Sequence, residues 1–137
     1  MTVSQYTAGS ASHAGDMRKS RRLEVRLAAA LLSDHCEATG QVANLSRNGS
    51  CIEGDKALAD LLLAAGRRAT RAASDMVQVR FDVPAGAAGT VPVTVQARIV
   101  YVVHMHADTY HCGLEFRLFT GGEAAFAAYL RANGLPD

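Results

Sequence analysis

Arg22 and Arg26 stand four residues apart, with Arg21 directly ahead of the pair and Arg18 and Lys19 just upstream. On an extended strand, positions 22 and 26 face the same side, about 13 Å apart along the backbone. Two guanidinium groups so placed can each take a phosphate bidentately, or the O6/N7 edge of a guanine. After an interval of 18 residues from Arg26 comes Asn44, which opens the run Asn44-Leu45-Ser46-Arg47-Asn48-Gly49. Asn44 and Ser46 share a parity at the end of a strand, where an amide and a hydroxyl can bond a purine edge or a phosphate oxygen. Gly49 permits a backbone turn that other residues resist. Taken singly, each cluster has a plainer reading. The first is a charged solvent face on an edge strand, and the second is a turn made of residues with turn propensity.

The elements that must position these groups read mainly as β. Leu23, Val25 and Leu27 alternate with Arg22, Glu24 and Arg26, and a second strand runs from about Cys36 through Val42 and Leu45. Ser50 to Glu53 forms a short third. The rhythm then changes: Leu58, Leu61, Leu62 and Ala65 fall at the spacing of one helical face, with Gly54-Asp55 as the start signal and Gly66 as the stop. Residues 67–74 are a polar, Ala-rich connection. Three clearer strands follow, carried by Val77, Val79, Phe81 and Val83; by Val93, Val95, Ala97, Ile99, Tyr101 and Val103; and by Tyr110, Cys112, Leu114, Phe116 and Leu118. One apolar and one polar face on each predicts an antiparallel sheet. Phe126, Tyr129 and Leu130 mark a terminal helix, closed by Asn133-Gly134 and Pro136. Six strands and a helix in 137 residues predict one small closed barrel, because closure removes exposed edges.

In this order and at this interval, RxxxR followed by NxSxxG resembles the paired signature of PilZ domains. Ala97-Arg98-Ile99-Val100-Tyr101 resembles the family's strand ending in an aromatic residue, and His111-Cys112-Gly113-Leu114-Glu115-Phe116 its glycine-containing penultimate strand. The resemblance spans residues 18–133. It implies a six-stranded antiparallel PilZ-type β-barrel with a C-terminal helix, from which the chain departs in its helical insert at residues 55–66. It also implies that cyclic di-GMP binds outside the barrel and that the basic N-terminal segment closes over it. Residues 1–17, with few large apolar residues and no period, read as a flexible arm ahead of a domain over residues 18–137. Arg22 and Arg26 would clamp phosphate and guanine, Asn44 and Ser46 would contact the nucleotide from the second motif, and Gly49 would shape the turn. Where the family has arginine just ahead of RxxxR, it resembles members that hold an intercalated pair of ligands, so Arg21 joins the site, with Arg18 assisting. Tyr101 is a further candidate for stacking on guanine, although its parity with Val93 to Val103 would turn it into the core.

Composition bounds the alternatives. A formal net charge of +1 does not indicate a general polyanion binder, and 6% aromatic residues with no Trp are few for a barrel that stacks single-stranded DNA. The longest apolar runs fall short of the roughly 20 residues that span a bilayer, and residues 1–15 lack the apolar core of a signal peptide. The expectation is a cytoplasmic protein without membrane insertion. Its three cysteines are expected to be buried small hydrophobes. No general-base pairing points to an enzyme. His104 and His106 share a strand face without a third metal ligand, and Arg47 and Arg98 are expected to be solvated. No output domain is read in the sequence, so the signal is expected to leave through an unidentified protein partner or by self-association. The competing reading is a PilZ-fold interaction module that binds no nucleotide, a kind that typically lacks the arginine motif.

Overall fold

The computed structural model describes residues 22–33, 36–67 and 76–135. Six strands, β1 (Leu23–Ser33), β2 (Cys36–Leu45), β3 (Gly49–Gly54), β4 (Met76–Pro84), β5 (Thr90–His106) and β6 (Thr109–Gly121), close into a barrel in the order β1-β2-β3-β6-β5-β4. Every ladder is antiparallel. Helix α1 (Lys56–Arg67) follows β3, and helix α2 (Glu123–Ala132) follows β6.

The strands form where apolar and polar residues alternate. In β4, Val77, Val79, Phe81 and Val83 are buried while Gln78, Arg80 and Asp82 are exposed. β1 sends Ala29 and Leu31 inward, and β5 sends Val93, Val95 and Ala97. α2 lays Phe126 and Leu130 on this core, where the Phe126 ring meets Phe81, Phe116 and Phe119 at centroid distances of 6.1, 5.7 and 5.1 Å.

The helical insert is part of the core rather than an appendage. Leu58, Leu61, Leu62 and Ala65 are all buried, and α1 packs against all six strands. The Asp55 carboxylate accepts from the Leu58 N–H at 3.1 Å, the side-chain cap expected of Asp at a helix start. Leu58 sits against Gly40 and Gly54, several residues along β2 and β3 from Asn44 and Gly49. The helix runs through Gly66 to Arg67, one residue past the expected stop. Nothing is packed within 4 Å of a Cβ at Gly66, and its φ is not in the left-handed region that a glycine stop requires.

No helix among the described residues is long and apolar enough to cross a membrane. The cysteine expectation holds for Cys51 and Cys112 but not for Cys36, which is exposed. Cys36 is the first residue of β2, paired with Ser33 at the β1–β2 hairpin, where alternation no longer turns a side chain into the core.

Candidate functional site

The two motifs meet directly. Arg22, immediately ahead of β1, donates from its guanidinium to Asn44 Oδ1 on β2 at 2.9 Å. The same oxygen accepts the Cys51 backbone N–H at 3.2 Å, tying β1, β2 and β3 together through one amide. Its two acceptor sites are thereby used, and the Nδ2 amine remains as a donor.

Asn44 reaches this position through a β-bulge. Ala38 and Val42 on β2 point into the barrel, so strict alternation would send Asn44 inward too. The β2–β3 register slips between Val42 and Asn44, however, and inserts Ala43. Leu45 therefore turns in, fully buried, and Asn44 turns out. A second irregularity lies opposite, between Glu24 and Leu27 of β1. An extra residue in one strand re-aims the side chains beyond it, and here it aims an amide at an arginine.

A lateral row continues from Asn44 around the outside of the barrel. Asn44 pairs with Cys51, Cys51 with Gly113, and Gly113 with Tyr101. Tyr101 also owes its place to a bulge. The β5–β6 register slips between Ile99 and Tyr101, after which Val102 rather than Tyr101 packs against the core. The ring lies on Gly113, where a Cβ would come within 2.1 Å of it. Tyr101 and Arg22 both act on the Cys51 thiol beneath them. Burial pushes that thiol up, while Tyr101 and then Arg22 pull it back down. The structure thus places Tyr101 on the motif face, the side that alternation alone argued against.

The other predicted residues take different positions. Arg26 is exposed on β1 and donates to the side-chain oxygen of Gln41 on β2. It stands over an open cleft of about 500 Å³ lined by Glu24, Val25, Arg26, Gln41, Ala43 and Glu53. The bulge residue, Ala43, lines this cleft on β2, between Glu24 and Arg26 on β1 and Glu53 on β3. Ser46 is buried and belongs to the turn. Its hydroxyl accepts from the Asn48 N–H at 3.3 Å and lies 3.4 Å from the Gly49 carbonyl, which also accepts the Ser46 N–H at 2.9 Å.

Gly49 is needed for a reason other than the one expected. Its φ is not in the left-handed region. A Cβ there would instead lie 2.2 Å from the Leu114 carbonyl oxygen, so the absent side chain lets β6 close against β3. Arg18, Arg21 and the arm of residues 1–17 lie outside the described residues, as does most of the 67–74 connection.

Around the rim, Arg98 is solvent-exposed as expected and also donates from Nε to Glu115 at 3.0 Å. With Arg117 also on that carboxylate, the hydrogen bond from Arg98 leads in holding Glu115 below the usual carboxylate range. His104 and His106 are exposed beside the Ala107-Asp108 turn, and His104 stacks on Tyr110. Among the described residues no group of three or more His, Cys, Asp or Glu is arranged to hold a metal. The structure brings Arg22 to Asn44 and Arg26 to Gln41, with Glu53 across the cleft. Gln41 and Glu53 carry no signal in the sequence beyond alternation, which marks them only as polar, outward residues.

Known structures share this architecture. The chain superposes on Bacillus subtilis inhibitor of motility (MotI/DgrA) with a TM-score of 0.59 and 13% identity, over 85% of this chain and 50% of that one. The fold is of the PilZ type. The PlzA protein of Borreliella burgdorferi, solved in complex with c-di-GMP, matches equally well, with a TM-score of 0.59 and 11% identity over 93% of this chain and 55% of that one. The PilZ-type chain described here thus spans about half the length of each neighbour. A scan against family models and a search of curated proteins both return no match.

Proposed function

We propose that the chain is a receptor for cyclic di-GMP, bound on the outer face where RxxxR and NxSxxG meet. The observation that carries this reading is the 2.9 Å bond from Arg22 to Asn44, which joins two motifs that are 22 residues apart in sequence. The neighbour PlzA, solved with c-di-GMP, supports the same ligand class. Cyclic di-GMP offers two phosphates and two guanines. Arg22 and Arg26 supply bidentate donors for phosphate oxygens or for guanine O6 and N7. Asn44 contributes its Nδ2 donor and holds Arg22 in place, while Tyr101 offers a ring for stacking. Ser46 and Gly49 serve the site by holding the turn and the close β3–β6 approach.

The basic stretch with Arg18 and Arg21, at the end of the arm of residues 1–17, closes over the ligand. Arg21 takes the second molecule of an intercalated pair, which needs a cation beyond Arg22 and Arg26. Ordering of this arm presents a changed surface to a protein partner, and the protein acts in the cytoplasm as an adaptor rather than an enzyme. Titration calorimetry with cyclic di-GMP, GTP and single-stranded DNA tests the reading. Saturable binding of cyclic di-GMP alone is expected, with about two ligands per chain and about one for Arg21→Leu, because each added dianion needs its own guanidinium. No heat with cyclic di-GMP would leave a PilZ-fold interaction module as the function.

A further inference from the structure

The cleft beside Arg26 contains more carboxylate than a phosphate site should. Glu24 and Glu53 both line it, facing the space that the proposed dianionic ligand would enter. Glu24 sits on β1 with Arg22 two residues before it and Arg26 two residues after it, so neighbouring cations offset it. Among the described residues Glu53 faces His111, with Nε2 at 3.7 Å from Glu53 Oε2, and its side chain retains 39% of its exposure. Glu53 pairs directly with Gln41, and Gln41 accepts from Arg26. Arginine, amide and carboxylate therefore lie in sequence across β1, β2 and β3 along one wall-to-wall line of the cleft.

That line matches one nucleobase edge. Guanine presents acceptors, O6 and N7, on one side and donors, N1–H and the N2 amine, on the other. An ionised carboxylate is acceptor-only and bonds the two donors together, whereas adenine would set its N1 acceptor against the same oxygens. We infer that Glu53 is a specificity-determining residue that reads the N1–H and N2 amine of one guanine while Arg26 takes the acceptor side. This rests on the cyclic di-GMP reading above. It explains why an anion in a cleft for a dianion is useful: with guanine bound it gains two hydrogen bonds, and a base that lacks one or both donors forfeits them.

The test titrates the full chain with cyclic di-GMP, with its inosine analogue, in which hydrogen replaces each N2 amine, and with cyclic di-AMP. The wild type and Glu53→Gln are compared, with thermal melting to confirm that the variant folds. The wild type should prefer cyclic di-GMP to the inosine analogue by roughly tenfold, and cyclic di-AMP should bind more weakly still. Glu53→Gln should weaken cyclic di-GMP by roughly tenfold and bring the two guanine-type ligands to within about twofold of each other. Undiminished or tighter binding of cyclic di-GMP by Glu53→Gln overturns the inference, because the carboxylate would then only repel phosphate. Equal wild-type affinity for cyclic di-GMP and the inosine analogue overturns it without any variant, so the test survives a Glu53→Gln that does not fold. These results leave the receptor reading standing. Failure of the wild type to bind cyclic di-GMP at all defeats that reading, and this inference with it.

Discussion

β4 pairs with β1 on one side and β5 on the other without a single register shift. Its inward residues are buried, its outward residues are exposed, and none of the candidate site residues lies on it. The strands that carry the motifs behave differently. Irregularities fall between Glu24 and Leu27, between Val42 and Asn44, and between Ile99 and Tyr101, each beside a candidate residue. The β5–β6 ladder has three more, at Thr94/Val95, Gln96/Ala97 and His104/His106, away from the candidates. Regular pairing maximises burial, because period-2 alternation delivers every second side chain to the core. Bulges give up ladder bonds and in return choose which side chain faces out. The regular ladder of β4 thus serves burial, and the candidate ligand residues all lie off that strand.

The largest expected effect probes the regular side. Phe81 is 2% exposed, and its ring lies 6.5 Å from Phe116 and 6.1 Å from Phe126. Phe81→Ala should cost about 3–5 kcal/mol in urea unfolding. The fraction that remains folded should bind cyclic di-GMP with unchanged affinity, and an affinity loss in that fraction would show that the two sides are not separable.

The bulged side responds to a much smaller change. Gly113→Ala places a methyl where the Tyr101 ring lies, 2.1 Å from its nearest carbon, and β3–β6 pairing leaves little room for retreat. Overpacking of this kind should cost about 1–3 kcal/mol of stability. Removing the obstruction in Gly113→Ala/Tyr101→Ala should recover much of it. If the double variant is the less stable by the full sum of both changes, the ring does not rest on Gly113.

What the sequence revealed follows the same division. β4 was legible because Val77, Val79, Phe81 and Val83 alternate without interruption, and α1 because Leu58, Leu61, Leu62 and Ala65 share a helical face. Arg22 and Asn44 were legible as chemistry, by type and interval. Their mutual bond was not, since it depends on the bulge at Ala43. Tyr101 stood between core and ligand for the same reason: one inserted residue reverses parity, and no residue type announces it. Gly49 read as turn chemistry because its partner, the Leu114 carbonyl, is remote in sequence. Ser46 read as a ligand contact, and its hydroxyl also bonds within its own turn. Glu53 carried no signal until the fold set it across from Gln41.

The smallest predicted effect touches neither stability nor binding. Burial pushes the Cys112 thiol up to about 12 and raises Cys51 as well, while Cys36 is exposed. A thiol reagent at mildly alkaline pH attacks thiolate. It should label Cys36 promptly in the folded protein, and Cys51 and Cys112 only as fast as the barrel opens. Prompt labelling of Cys51 would mean that the cover provided by Tyr101, Asn44 and Arg22 is not in place.

The central claim is that Arg22 and Asn44 act as one unit, because the amide that the bulge turns outward is what holds the arginine. Independent contacts would instead favour a milder Asn44→Ala, since neutral hydrogen bonds are worth about half as much as charge-assisted ones. A double-mutant cycle on cyclic di-GMP affinity with Arg22→Ala, Asn44→Ala and the pair is the most direct test. Each single change should cost about 1–3 kcal/mol of binding, and the double little more than Arg22→Ala alone, a departure from additivity of more than about 0.5 kcal/mol. Losses that simply add, or an Asn44→Ala that binds as the wild type does, would contradict the account.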